Sequence, residues 1–227
     1  MYVLIFLIKT YIIIFLEVII LKKAFLNFML NNVKYKYPNY DDIKLAEIRY
    51  GLETFYLNIT KFIIIFVLAV TLGILKEMLI FLVLYNLLRL TGFGLHATKS
   101  WICLLSSSII FLGVPILCMS IVVPSYLLLM IAALCTILIV IYAPSDTKKR
   151  PLINSKKRAV YKIITTLTAL IYCIIIIFLD NTYWLNAITI AMALETFTIL
   201  PISYKIFNLS YNNYKTYKQG GLQLNSV

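Results

Sequence analysis

The sequence predicts an all-α integral membrane protein with four to six transmembrane or re-entrant helices and an N-terminal amphipathic interfacial helix. Three observations lead there. Hydrophobic residues fill 62% of the 227 positions and charged ones 13%, with a mean hydropathy of +0.94, well outside the usage of soluble domains. The apolar residues form continuous runs such as IIIFVLAV and YCIIIIFL, without the alternation of a barrel strand. Backbone groups in lipid must bond within their own segment, so these runs read as helices. Finally, basic residues gather between the runs, as they do in cytoplasmic loops.

The formal charge of +12, from 21 Lys and Arg against 9 Asp and Glu, would suggest nucleic acid for a soluble chain. In a membrane chain the same surplus fits anionic headgroups or an acidic peptide segment, so no nucleic-acid partner is expected. Four cysteines, at 103, 118, 135 and 173, form no CxxC pair, and there is one histidine. That pattern predicts neither a disulfide framework nor a metal site, and no cofactor is expected.

The elements follow in order. Met1 to Leu21 is apolar but interrupted by Lys9 and Glu17, which suits an extra span, an interfacial helix, or a stretch upstream of a start at Met29. NNVKYKYPNY, from Asn31 to Tyr40 and broken by Pro38, reads as a surface linker, so residues 1–40 form an apolar extension and linker. A membrane domain over 41–205 opens with Asp41 and Asp42 in the first turn of a helix. There Ile43, Ala46, Leu52 and Phe55 recur at near-helical spacing with Lys44, Glu47, Arg49 and Glu53 between them, the pattern of a helix lying on the membrane surface.

Phe62 to Leu75 and Met78 to Leu88 are separated by Lys76 and Glu77, and each is short for a span, so a tight hairpin or re-entrant pair is expected. Trp101 to Val123 is long enough to cross, with a bend at Gly113 and Pro115. Pro124 and Ser125 turn the chain into Tyr126 to Tyr142. A loop with seven Lys or Arg between Lys148 and Lys162 follows, in which Asp146 reads as a solvated turn residue. Ile163 to Leu179 and Trp184 to Ile202 complete the spans, and 206–227 is a polar tail. With the basic loop cytoplasmic, the start of the Trp101 helix and the tail lie on the same side, as expected of a multi-pass plasma-membrane protein.

The chemistry concentrates in RLTGFGLHATKSWICLLSSS, from Arg89 to Ser108. His96 lies in a polar, glycine-bearing break and Cys103 just inside the next apolar run. A cysteine nucleophile must be a thiolate, and an ordinary thiol titrates near pH ~8.5, so it needs a base or a positive setting. His96 can serve as the base. Ser100 fits an N-cap that would put Cys103 in the first helical turn, and Lys99 and Arg89 add positive charge. Seven residues on a straight helix span ~10.5 Å, so the chain must fold back between His96 and Cys103, which Gly92, Gly94 and Ser100 permit. The duller readings are a lone membrane-edge histidine, a packing cysteine and a snorkelling Arg89. Cys118, Cys135 and Cys173 sit deep in spans and read as packing residues. Glu195, ionisable within a span, needs a partner: Arg89 or His96, or more simply a structural ion pair with Lys162 or Lys205.

These residues resemble the accessory gene regulator protein B (AgrB) family of membrane cysteine endopeptidases, which process precursors of quorum-sensing peptides. Arg89, Gly94, His96-Ala97 and Cys103 match its R…GxHA…C arrangement. IRYGLE (Ile48 to Glu53), YAPSDTKKRP (Tyr142 to Pro151) and ETFTILP (Glu195 to Pro201) are similar to further blocks in the same order. Where the family often has a second arginine, this chain has Leu90. The resemblance implies Cys103 as nucleophile and His96 as base, with Arg89, Gly94, Lys99, Ser100 and Glu195 supporting the site or binding substrate. It also implies an AgrD-like precursor partner with an amphipathic leader and an acidic tail, cleaved through a thioester that permits thiolactone or lactone closure. An anionic lipid membrane is the expected setting, with a homodimer left open.

The alternative is a membrane transport or export scaffold without catalysis, in which the polar break lines a pathway. Another intramembrane hydrolase class is disfavoured, because neither HExxH nor GxSxG occurs.

Overall fold

In the computed structural model the described residues are 21–95, 100–148 and 151–215. Among them every named element is a helix, with isolated bridges such as the parallel one between Phe93 and Ser145. The chain divides into two compact units, Met1–Thr71 and Leu72–Val227.

The first unit contains α1 (residues 21–36) and α2 (Asp42–Thr71). The two pack through the Phe25 and Tyr56 rings, 5.1 Å apart, and through an ion pair of Lys22 with Glu53. The linker expected from Asn31 is helical as far as residue 36, because no breaker precedes Pro38 and the residue before a proline is the one pushed out of the helix. The turn itself carries Tyr37 stacked on Tyr40 at 5.0 Å. Asp41 then caps α2, its carboxylate accepting the Lys44 N–H at 2.9 Å.

The expected surface helix and the first apolar run are one 30-residue helix. Nothing between Thr60 and Phe62 can stop it, since Lys61 carries a long apolar stem and is a good helix former. The break expected at Lys76 and Glu77 comes earlier, at Gly73, whose φ of 69° only glycine adopts easily. Lys76 and Glu77 belong to the first turn of α3 (Leu75–Gly92), where a carboxylate favours the positive helix end.

In the second unit, α4 (Ser100–Ser108) passes through a π-helical turn (Ile109–Gly113) into α5 (Val114–Ser120). This is the bend expected at Gly113 and Pro115. Pro115 lacks an N–H and its ring crowds the carbonyl four residues back, which loosens the ladder at that turn. Then come α6 (Ser125–Tyr142), α7 (Ser155–Phe178), α8 (Thr182–Ile199) and α9 (Pro201–Ile206). Helix α8 is central, touching α3, α5, α6 and α7. Ala187, Ala191, Ile188 and Met192 are fully buried along it, and the two alanines let neighbouring helices approach closely.

Among the described residues, four helical stretches are long and apolar enough to cross a membrane: Lys44–Thr71, Ile102–Ser120, Ser125–Tyr142 and Ser155–Phe178. At one end of the second unit, buried Asn186 on α8 donates to the carbonyls of Cys118 (3.1 Å) and Ile121 (2.9 Å), closing the end of α5. At the other end lie the last turn of α3, the loop after α6, the start of α7 and α9. The candidate site is built there.

Candidate active site

Helix α3 ends in a reversal at Phe93 (φ 62°) and Gly94 (φ 81°). A bulky residue rarely holds a positive φ, and here the N–H groups along the reversal are hydrogen-bonded. The Phe93 N–H donates to the Arg89 carbonyl (3.2 Å), Gly94 N–H to Ser145 (2.8 Å), Ser145 N–H to Gly92 (3.0 Å) and Leu95 N–H to Thr198 (2.9 Å). The Phe93 ring packs edge-on against Tyr161 of α7 at 5.0 Å, and the Ser145 hydroxyl donates to the Ile199 carbonyl at 2.8 Å. Residues 92–95 therefore lie strapped between the loop after α6 and the end of α8.

Arg89 occupies the centre of this arrangement. Its Nη1 donates to the Thr198 hydroxyl at 2.6 Å and reaches Glu195 Oε2 at 3.5 Å, while Nη2 donates to the Leu95 carbonyl in a short bond. The Thr198 hydroxyl in turn donates to the Glu195 carbonyl at 2.9 Å, with Oε2 3.3 Å away. Glu195 is completely buried and the Arg89 side chain is 15% exposed. Of the partners open to Glu195 in the sequence, Arg89 meets it, His96 lies outside the described residues, and Lys162 and Lys205 are exposed and cannot neutralise a carboxylate this deep. A Cβ on Gly94 would stand 2.6 Å from both Arg89 Nη1 and Thr198 Oγ1 and 2.8 Å from the Thr198 carbonyl. Gly92 is equally constrained, its face turned against the Glu195 carboxylate.

Cys103 is the fourth residue of α4 and half-buried; its carbonyl accepts the Ser106 hydroxyl at 3.2 Å. His96, Lys99 and the side chain of Ser100 lie outside the described residues. What borders them is described: Leu95, held through both its N–H and its carbonyl, and Ser100 as the first residue of α4. Arg89, Gly94 and Glu195 are thus brought together directly before the histidine. Cys118 and Cys135 are buried in α5 and α6, and Cys173 on α7 lies 3.3 Å from the Thr136 hydroxyl.

Asp146 is not a solvated turn residue. It is 3% exposed, and its carboxylate accepts backbone N–H groups of Asn213 (2.8 Å), Tyr214 (2.8 Å) and Leu152 (3.3 Å). The polar tail returns to this loop and supplies the amides that make burial tolerable. Tyr204 donates from its hydroxyl to the Asp146 carbonyl at 3.0 Å, and burial pushes that phenol's pKa up. The Arg158 guanidinium lies 3.6 Å from the Tyr214 ring centroid. Around them Lys148, Lys156, Lys157 and Lys162 are exposed, so this end of the unit is strongly basic.

Thr198 and Ser145 are not among the residues the sequence singles out. For Thr198 a signal exists: it stands three residues after Glu195 and so shares its helix face. For Ser145 there is none, because its backbone and hydroxyl meet Gly92, Gly94 and Ile199, all distant along the chain.

The sequence model for accessory gene regulator B matches residues 22–199. The chain belongs to the accessory gene regulator B family. Similar proteins include a putative AgrB-like protein of Clostridium acetobutylicum, 29% identical over 184 residues that cover 81% of this chain and 88% of that one. Another, from Listeria welshimeri, is 29% identical over 178 residues, 78% of this chain and 87% of that one. The accessory gene regulator protein B of Staphylococcus aureus is 31% identical over 172 residues, 74% and 89% of the two chains. No solved structure matches. Membership in the accessory gene regulator B family, with four helices able to span, makes this a multi-pass membrane protein of the accessory gene regulator system. The family match ends at Ile199, so the tail residues that meet Asp146 lie beyond it.

Proposed function

We propose that this AgrB-family protein is a membrane-embedded cysteine endopeptidase that removes the C-terminal tail of an AgrD-like autoinducing-peptide precursor for quorum sensing. Cys103 is the nucleophile and His96 the base. The observation that carries the reading is the start of α4 at Ser100, which makes Cys103 its fourth residue. There the positive helix end favours a thiolate. The histidine enters from a backbone segment strapped down at Gly94 and Leu95, as acid–base geometry requires.

The thiolate forms a C–S bond to the scissile carbonyl carbon. The C–N bond breaks as the leaving amine takes the proton held by His96, so the tail departs and the upstream peptide stays as a thioester. A Cys or Ser side chain within that peptide then attacks the thioester carbonyl. Its proton passes through His96 to the Cys103 sulfur, a thiolactone or lactone closes, and the Cys103 thiol is regenerated. A membrane-boundary site limits competing hydrolysis. An amphipathic leader would bring the precursor to the same interface, and exposed Lys148, Lys156, Lys157 and Lys162 suit an acidic tail and anionic headgroups. By the positive-inside rule these lysines support a cytoplasmic position for this end of the protein at the plasma membrane.

The test is intact-mass analysis of the purified protein in lipid with the precursor encoded nearest to it. Wild type is expected to yield a shortened peptide and an enzyme adduct equal in mass to the acyl part, and Cys103→Ser neither. Cleavage that survives in Cys103→Ser would remove the peptidase reading in favour of a transport or scaffold role.

A further inference from the structure

We infer that Arg89, Thr198 and Glu195 form a lock that positions the chain at Leu95, directly before His96, and that Arg89 is a positioning residue and not a substrate clamp. The inference rests on the peptidase reading of Cys103 and His96.

A clamp for a peptide carboxylate needs a guanidinium edge open to the ligand. In Arg89 both terminal nitrogens are already engaged inside the protein. Nη1 serves the Thr198 hydroxyl and Glu195, Nη2 serves the Leu95 carbonyl, and the side chain is 15% exposed. The same two helices hold both backbone groups of Leu95. Its carbonyl goes to Arg89 on α3, and its N–H goes to the carbonyl of Thr198 on α8. Leu95 is the residue before His96, so its two bonds fix the point and direction from which the histidine departs.

The lock is closed on itself. The Thr198 hydroxyl accepts from Arg89 and donates back to Glu195, and the Glu195 carboxylate balances a guanidinium that would otherwise be a stranded charge. Gly94 permits the closure, because a side chain there would stand between Arg89 Nη1 and the Thr198 hydroxyl. Parts mounted on two packed helices hold a loop more narrowly than the loop could hold itself. A misplacement of about 1 Å at a reacting group costs a rate factor of order 10²-fold.

Thr198→Val keeps the side-chain shape and removes the hydroxyl; Arg89→Lys keeps the charge and removes the second donor. For each, kcat and KM for precursor cleavage are measured in lipid, together with the pH dependence of Cys103 alkylation by iodoacetamide without substrate, mapped by mass. The expected result is a kcat lower by about 10- to 100-fold, KM within about twofold, and an alkylation profile displaced to higher pH as His96 loses its grip on the thiol proton. A raised KM with unchanged kcat would make Arg89 a substrate ligand and overturn the lock. So would a lower kcat with an unchanged alkylation profile, which marks a merely structural role. If wild type cleaves and Thr198→Val matches it, the lock alone fails. If wild type leaves the precursor intact, or Cys103→Ser still cleaves it, the peptidase reading fails and takes the lock with it.

Discussion

The Asp146 carboxylate accepts the backbone N–H of Asn213 at 2.8 Å although 67 positions separate them, and the N–H of Tyr214 shares the other oxygen at the same distance. A buried carboxylate thereby ties the loop after α6 to the C-terminal tail. Hydrogen bonds to a charged group contribute about 1.5–3 kcal/mol each. Asp146→Ala is expected to lower thermal stability by at least one such increment, and truncation after Ile206 by a comparable amount, since it removes the Asn213 and Tyr214 amides that the carboxylate accepts. The combination should lose less than the sum. Thermal unfolding of the three variants in nanodiscs measures this, and fully additive losses would show that loop and tail are independent.

Glu195→Ala and Glu195→Gln should separate sharply. Alanine leaves the Arg89 guanidinium, 15% exposed, without its counter-charge, which costs about 3–5 kcal/mol when one partner of a buried pair is removed. Glutamine keeps an acceptor for Arg89 and Thr198 and should cost less. Because the pair is buried, raising the salt from ~0.1 to ~1 M should not change the ranking. Equal melting temperatures for the two variants would contradict the pairing.

Glycine-to-alanine changes are expected to differ in sign along the chain. At Gly94 a methyl group meets Arg89 and Thr198 within 2.8 Å at a φ of 81°, so Gly94→Ala should be destabilising by about 1–3 kcal/mol and should sharply reduce precursor cleavage. Gly51, within α2, has open space where a Cβ would stand, with nothing within 4 Å, and Gly51→Ala should stabilise that helix by about 0.5–1 kcal/mol. Melting curves and cleavage rates of the two variants, side by side, check both halves.

Asn154 offers a control that touches stability without chemistry. Its side chain accepts the N–H groups of Lys156 (2.9 Å) and Lys157 (3.2 Å) and caps α7. Asn154→Ala should cost about 0.5–2 kcal/mol, whereas Asn154→Asp should hold or raise stability by placing a negative charge at the helix start. Cleavage rates should stay within about twofold of wild type where the fold is intact.

The parts of the fold legible in the sequence are those fixed by hydrophobic length. Helix α6 ends at Tyr142 as its apolar run does, and α7 extends that reading backward to Ser155 because Asn154 caps it. The bend at Gly113 and Pro115 is legible because proline has one mechanical effect on a helix ladder. The elements that differ are those where polarity looks like a boundary. Lys61 and the pair Lys76 and Glu77 sit inside helices, while the true break is Gly73. At the site, residue types point to Arg89, Gly94 and Glu195 as a group. Their pairing cannot be read from the chain, because Arg89, His96, Lys162 and Lys205 are all open as partners of Glu195 there, and burial decides against the lysines. Asp146 differs from its reading for the same reason: a carboxylate in a basic loop looks solvated until a distant tail supplies its amides.

The position of α8 bears on how the protein is made. A helix carrying Asn186, Thr189 and Glu195 on buried faces is a poor passenger for the lipid phase, where polar and ionisable side chains are costly without partners. It is also translated after every helix that encloses it. By the time it leaves the ribosome, α3, α5, α6 and α7 have been synthesised, and Arg89 already offers Glu195 its counter-charge. Insertion of α8 is therefore an act of assembly, the late arrival of a keystone into a prepared opening. Mutations in that opening should reveal themselves first as failed biogenesis and degradation, before any catalytic defect can be observed.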